Sequence, residues 1–358
     1  MVHPTRPEPR AARRPAFRVD TRDLRSLVDT EGPFLTVALP TPSRFDDAAH
    51  RFEINWRNAR SHVGTEWPEQ ALERLDGIVA DAGHGAGAAL FVVDSSDGHT
   101  LVEFLDEPVR EVVASVDPLP RLAPLIESRQ RTIAHVVVET DRAGADLTAF
   151  DGGEVVTTAS IEGETLHIHR GHPGGWSQRR FQQRAENTWE HNARTTAEAV
   201  AALASRVDAE LIAVAGEVRA RSLVLDELPG VTNVATVDLQ SGSATGIADE
   251  VVRRLSDLVA RRVTDLAERV RQGLADGTAC NGIDATLRAL ADSRVQTLLV
   301  HDDIDVEEPR ATHGEIAEIQ ESRVVDAAIA AALRTDADVV VTPRLAVLDG
   351  PIGALLRW

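Results

Sequence analysis

Three short stretches of alternating apolar residues follow one another almost without a break. They are Ile133–Glu139, Ala145–Phe150 and Glu154–Ala159, separated only by the turn signals Arg142–Gly144 and Asp151–Gly153. Spacing that tight leaves no room for crossover connections, so the three strands pair as an antiparallel meander. A fourth strand is expected at Glu164–His169. The pattern then changes period. From about Gln178 to Val207 a helical stripe places Phe181, Ala185, Trp189, Ala193, Thr196, Val200 and Leu203 on one face, with Ser177 ahead of it as N-cap. The apolar run Leu211–Ala215, a helix over Val218–Leu228 and the run Val231–Val237 alternate as a parallel sheet requires. A meander continued by alternating helix and strand is the order of an RNase H-like sheet, and it commits the chain to the α/β class.

The flanks read as two further α/β units. Residues 1–18 carry proline and arginine without any period and are expected to be disordered. Beyond them Pro33–Leu39 reads as a strand, residues 48–80 as helix broken near Gly64 to Pro68, and Ala88–Asp94 with Thr100–Leu105 as paired strands around the turn Ser95–Gly98. Pro118 and Pro120 introduce a short helix, Leu122–Arg129, at a domain boundary. Downstream of the middle unit, residues 246–275 predict a charged amphipathic helix. A helix at Gly282–Ala291 then leads into a strand at Val295–His301, and one at Gln320–Leu333 into Asp338–Thr342, with Ile352–Trp358 closing an α/β/α sandwich. The expected division is a tail at 1–18, an α/β domain at 19–130, a middle domain at 131–275 and a third domain at 276–358. A length of 358 residues suits two or three domains.

Absences narrow the chemistry. The chain has no lysine, so all 38 basic residues are arginine, and it has no tyrosine. A Schiff-base lysine, a P-loop lysine and a kinase-type lysine are excluded together. A single cysteine, Cys280, cannot form an internal disulfide; it reads as a small, semi-buried side chain and suits a reducing compartment. No apolar run approaches the roughly 18 to 20 residues of a membrane span, and the first residues lack a secretory core, so a cytoplasmic protein is expected. Asp20, Asp23, Asp46 and Asp47 are scattered acids with no paired-carboxylate pattern.

Net charge is −19, and such a body repels nucleic acid unless positive charge is focused locally. It is focused twice. Residues 1–18 hold Arg6, Arg10, Arg13, Arg14 and Arg18 against Glu8 alone, and residues 165–184 hold Arg170, Arg179, Arg180 and Arg184 with three histidines and no acid. The second cluster surrounds the sequence Gly171-His172-Pro173-Gly174-Gly175-Trp176-Ser177-Gln178-Arg179-Arg180-Phe181. Paired glycines let backbone approach a ligand closely. A helix starting just behind them offers free N–H groups and the positive end of its dipole to phosphate or to a developing oxyanion. The arginines add phosphate contacts, and Trp176 offers a face for base stacking. His167 and His169 on one strand face, near His172, lack a cysteine or carboxylate to complete a metal site, so no metal is expected. A Ser177/His172 nucleophile pair competes with the simpler reading of Ser177 as a helix cap.

Gly174-Gly175-Trp176-Ser177-Gln178-Arg179-Arg180-Phe181 resembles the Gly-Gly-Gln loop and following helix of the archaeo-eukaryotic release factor and Pelota superfamily. Glu190-His191-Asn192 is similar to the continuation of that helix, Asp284–Val300 to the opening of the family's third domain, and Ile352-Gly353-Ala354-Leu355-Leu356-Arg357-Trp358 to its closing strand. Bacterial members, of the mycobacterial and Balon-type hibernation-factor kind, are the nearest in pattern. The resemblance implies an α/β N-terminal domain facing the decoding site, an RNase H-like middle domain and an L7Ae-like third domain that contacts a delivery GTPase. Two departures matter. Where the family's glutamine directly follows the glycines, this chain has Trp176, and Gln178 comes two residues later, as in the Gly-x-x-Gln of a peptidyl-tRNA hydrolase. The family's stop-codon elements need lysine and tyrosine, which this chain lacks.

The resemblance thus implies a factor that occupies the vacant A site of the 70S ribosome, bound through rRNA at His172, Gly174, Gly175, Trp176, Ser177, Gln178, Arg179, Arg180 and Arg184, with hibernation as the leading role. Elongation factor Tu or another translational GTPase is the implied partner, with no cofactor and no membrane. The alternative is a peptidyl-tRNA hydrolase in which Gln178 is catalytic. A stress-related binding module without ribosome contact is the third class.

Overall fold

A computed structural model describes residues 17, 19–41, 48–64, 66–82, 87–105, 109, 112–163, 175–228, 234–301 and 322–358, with the backbone alone at 48–49 and 175–185. The chain divides into two compact units, one made of Met1–Gln130 with Arg262–Trp358 and the other of Arg131–Arg261. It is an α/β protein, as the periodicity predicts. The expected tail and the expected strand at Glu164–His169 lie outside the described residues, Phe17 excepted.

In the unit Arg131–Arg261, β5 (His135–Thr140), β6 (Gly144–Asp151) and β7 (Glu154–Glu162) form the antiparallel meander. β8 (Leu211–Gly216) and β9 (Ala235–Asp238) add in parallel, giving the order β7-β6-β5-β8-β9. The crossovers are α5 (Gly175–Arg206) between β7 and β8, and α6 (Val218–Glu227) between β8 and β9. One sheet face buries Val136, Val138, Leu147, Ile212 and Val214 against Ala193, Ala197, Val200 and Leu203 of α5 and Val224 of α6. The other buries Val137, Ala213 and Ala215 against Ile247 and Val251 of α7 (Ala244–Asp276). Both faces of β8 are covered, which is why Leu211–Ala215 reads as one continuous apolar run.

Two sheets build the other unit. In the first, β1 (Phe34–Pro40) lies between β2 (Ala89–Ser95) and β4 (Val113–Asp117), with β3 (Thr100–Leu105) beyond β2, all antiparallel. Alternate residues of β1 serve different cores. Leu35, Val37 and Leu39 pack with Leu90 and Val92 on α2 (Ala48–Val63) and α3 (Glu69–Ala82). Phe34 and Ala38 pack with Phe91 and Val93 on α1 (Arg22–Val28) and α4 (Ala123–Arg131), in a cluster that continues into α8 (Ile283–Ala291) and α9 (Val324–Arg334). The second sheet has the order β10-β13-β11-β12, formed by β10 (Ala279–Asn281), β11 (Val295–Val300), β12 (Asp338–Val341) and β13 (Ile352–Leu356). β11 and β12 run parallel, while β13 runs antiparallel to β11 and β10.

Three sequence expectations need correction. α5 starts at Gly175, so Ser177 lies inside its first turn and does not cap a helix that begins at Gln178. α9 starts at Val324 and not at Gln320, because Arg323 is extended, with φ −60° and ψ 140°. The elements α1, β4 and β10 were not expected at all. Of the scattered acids, Asp20 is held by Arg22, whose hydrogen bonds lower its carboxyl pKa to about 2, and Asp23 pairs with Arg129 at 2.7 Å. Cys280 is half-buried on β10, and burial pushes its thiol pKa up. Among the described residues no three His, Cys, Asp or Glu side chains converge as metal ligands, and no helix is long and apolar enough to cross a membrane.

Candidate functional site

Open α/β sheets bind ligands beyond the carboxyl ends of their parallel strands, where the connections diverge. In the unit Arg131–Arg261 that position lies past Thr140 of β5 and Gly216 of β8, which are register partners. Gly216 has φ 117°, and a Cβ there would collide with the backbone of Thr140, so only glycine lets the two strands end this close. The Thr140 carbonyl accepts from the N–H of Glu217 at 2.9 Å. Glu217 then caps α6, accepting from the Ala220 N–H at 3.1 Å.

A small crevice opens here between the β5–β6 turn, α5 and α6, lined by Asp141, Arg142, Trp189, Asn192, Glu217 and Arg219 among others. Asp141 shapes the turn by accepting from the N–H groups of Ala143 and Gly144 at 2.7 and 2.9 Å. Two guanidinium groups sit over the half-buried Trp189 ring, Arg142 at 5.1 Å from its centroid and Arg219 at 5.3 Å. Each is paired, Arg142 with Glu217 and Arg219 with Glu186, both at 3.1 Å. The Arg142 hydrogen bond, reinforced by the Ala220 N–H, keeps the Glu217 carboxyl below its usual range. Asn192, buried on α5, donates from Nδ2 to the Arg142 carbonyl at 3.3 Å. Gly163, just past β7, donates its N–H to the Ala143 carbonyl at 2.6 Å. The crevice is the joint at which the β5–β6 turn meets α5 and α6.

The sequence-predicted site residues are placed only in part. His172 and Gly174 lie outside the described residues, as do the side chains of Trp176, Ser177, Gln178, Arg179, Arg180 and Arg184. The backbone from Gly175 through Arg184 is the start of α5. Trp176, Ser177 and Gln178 therefore belong to the first turn, where backbone N–H groups have no intrahelical partner. Sequence reading missed the joint. It took Trp189 for part of a core stripe and Arg142 for a turn residue, and it did not single out Glu217 or Arg219. The usable signal was the charged Glu217-Val218-Arg219 directly after an apolar strand ending in glycine.

Residues 134–276, which contain this joint and all of α5, match the family described as bacterial archaeo-eukaryotic release factor family 2. Over 94% of its length the chain is 29% identical to the uncharacterized protein Rv2629 of Mycobacterium tuberculosis (strain ATCC 25618 / H37Rv), and 96% of that protein is covered. The uncharacterized protein MT2704 of strain CDC 1551 / Oshkosh matches to the same extent. Among solved structures, Archaeoglobus fulgidus Pelota is similar at 17% identity, covering 96% of this chain and 93% of that one, with a TM-score of 0.36. A model of ribosome-bound archaeal Pelota and ABCE1 is similar at 15% identity over 94% and 93%, with a TM-score of 0.39. Residues 134–276 are thus similar to bacterial archaeo-eukaryotic release factor family 2, and the whole chain is similar to two uncharacterized mycobacterial proteins.

Proposed function

We propose that this release-factor-like chain binds the bacterial ribosome, enters a vacant A site and brings Gly174–Gln178 to the peptidyl-transferase centre. The carrying observation is that the family match covers the helix α5, which starts at Gly175, the second glycine of the pair. A 32-residue helix presenting its N-terminal dipole, followed at once by Arg179, Arg180 and Arg184, suits a phosphate-rich partner on a chain of net charge −19. In this reading the domain at 19–130 faces the decoding site, and the domain at 276–358 meets a translational GTPase such as elongation factor Tu. Trp176 takes the place of the family's reacting glutamine, which favours occupancy without chemistry, that is, ribosome hibernation. The test is a sucrose gradient of the native protein at low salt. It should travel with 70S particles whose A site is empty and leave those with A-site tRNA; protein remaining at the top of the gradient refutes the reading. Replacing Arg179, Arg180 and Arg184 with Gln should reduce the log–log salt slope of binding by roughly 2 to 3. An unchanged slope would remove these side chains from the interface.

A hydrolase reading is favoured by one observation: Gln178 falls in the first turn of α5, beside N–H groups able to hold an oxyanion. Purified protein added to ribosome-bound peptidyl-tRNA decides between the two. Hibernation predicts no peptide release and little effect of Gln178→Ala on translation inhibition. Release that Gln178→Ala abolishes while binding persists marks a residue acting in the transition state, and hence hydrolysis.

A further inference from the structure

We infer that the β5–β6 turn is the anchor that aims α5, with Asn192, Trp189, Arg142 and Arg219 as positioning residues for the helix's first turn. The inference rests on the reading of that first turn as the working end of the chain.

Two independent pieces of chain converge on two consecutive turn residues. Gly163, where β7 has ended, donates to the Ala143 carbonyl at 2.6 Å, and Asn192 of α5 donates to the Arg142 carbonyl at 3.3 Å. Gly163 and Asn192 also touch each other, since a Cβ on Gly163 would collide with the Asn192 carboxamide. The turn therefore fixes both the chain entering the segment before α5 and the helix leaving it. Asn192 and Trp189 lie on neighbouring turns of α5. Trp189 is clamped from outside the helix, by Arg142 of the turn and by Arg219 of α6. Glu217 completes the ring of contacts by pairing with Arg142 while capping α6. Strand ends, turn and both helices thus meet at one joint whose parts are mutually satisfied.

Leverage gives this joint a consequence beyond local stability. Between Asn192 and Gly175 the helix runs for about 25 Å, at 1.5 Å per residue. A tilt of about 5° at the joint displaces the helix start by roughly 2 Å over that length. Displacements of about 1 Å at a working site are enough to lose roughly a hundredfold in function. Among the described residues, the sheet-facing side chains Ala193, Val200 and Leu203 that hold the other half of α5 down begin where the joint ends. Small rotations of the N-terminal half are therefore resisted by the Trp189 clamp and the Asn192 bond.

The test measures aim directly, in the full chain. Spin labels at Ser177→Cys and Thr158→Cys, in a Cys280→Ala background, report the distance between the start of α5 and the meander by pulsed electron resonance. Arg142→Gln with Arg219→Gln should broaden or shift that distribution by roughly 2 Å or more, as the lever length requires. The melting temperature should stay near the parent's, because both side chains are more than half exposed, at 59% and 52%. Lysine at both positions restores a cation over the ring and should restore the distribution. An unchanged distribution in the Gln pair, or broadening that the Lys pair does not reverse, overturns the inference. Co-sedimentation with 70S ribosomes separates this result from the functional reading. If the parent never binds, the proposed function fails and the distance result still decides the joint. If the parent binds, the Gln pair should bind roughly tenfold more weakly. Equal binding despite a broadened distribution would show that the aim of α5 has no functional role, and overturns the assignment.

Discussion

A methyl group at residue 163 would have to occupy space already held by the Asn192 carboxamide and the Ala143 carbonyl oxygen. Neither can withdraw, since one is buried on α5 and the other accepts the Gly163 N–H. Gly163→Ala is therefore expected to lose about 1 to 3 kcal/mol in urea unfolding, as overpacked sites do. Gly242, with open space around it, is the control, and its alanine variant should stay within about 0.5 kcal/mol of the parent. His135 carries a prediction of another kind. Its ring stacks on Phe150 at 4.6 Å and 5°, its Nδ1 faces the Ile133 carbonyl at 2.8 Å, and burial pushes its pKa down. A histidine whose folded pKa lies below its unfolded value stabilises the fold fully above the unfolded pKa, near 6.5, and loses that contribution as pH falls through the lowered folded value. Stability should thus decline on acidification below about pH 6.5, and His135→Phe should flatten part of that decline. An NMR titration of the ring placing its pKa above that of a free histidine would refute this account.

At the scale of elements, α5 joins a core stripe to the helix start that the proposed function makes the working end. Leu203 fills the contact between its C-terminal half and the sheet, so Leu203→Ala should lower unfolding free energy by about 2 to 5 kcal/mol without moving the α5 start. A matching loss of ribosome binding would show that the two halves are not separable. The sequence made most of this element legible, because Ala193, Thr196, Val200 and Leu203 keep helical spacing and all are buried. It misjudged Trp189 because periodicity reports which side of a helix faces the protein, and not whether that side meets methyl groups or guanidinium groups. Strands covered on both faces, β1, β2 and β8, were legible as unbroken apolar runs. β4 was not, since all five of its residues are only partly buried and it lies at a sheet edge. β10 is three residues long and carries no period. α9 was legible as a helix but not in its start, because Val324 through Leu333 are all buried and the apolar pattern has no polar side to mark a boundary. The joint at Arg142 was illegible for a different reason: its members are spread from Asp141 to Arg219, and only folding brings them together.

The unit built from Met1–Gln130 and Arg262–Trp358 joins the two flanks of the chain through one core. Leu24, Leu27, Phe34, Phe91 and Ile126 share a buried cluster with Leu298, Val325, Ile329 and Ile352. Polar contacts fix the register of this packing. Gln130 uses both ends of its carboxamide on one residue, donating to the Val341 carbonyl at 2.5 Å and accepting from the Val341 N–H at 3.0 Å. Arg334 donates to the Val28 carbonyl at 2.6 Å, and Arg25 pairs with Asp336. Gln130→Leu would leave two buried backbone groups unpaired, at about 1 to 3 kcal/mol each, and denaturant unfolding should register that loss in a single transition. Truncation carries the argument further. A chain ending at Asp276 keeps Leu35, Val37 and Leu39 packed on α2 and α3, but α1 and α4, which cover the opposite face of β1 and β2, lose the α8 and α9 side of their shared core. Each large apolar side chain uncovered forfeits about 1.5 to 3 kcal/mol, and several together exceed the roughly 5 to 15 kcal/mol that holds a domain folded. The N-terminal sheet should therefore fail to fold in the truncated protein. The Trp67 indole N–H, bonded to the buried Asp94 at 2.8 Å, is the reporter. It should exchange slowly and resonate apart from free tryptophan in the full chain, and collapse to the random-coil position after truncation. A protected Trp67 N–H in the truncated protein would mean that α1 and α4 hold their places without α8 and α9, and that the two flanks of the chain fold independently.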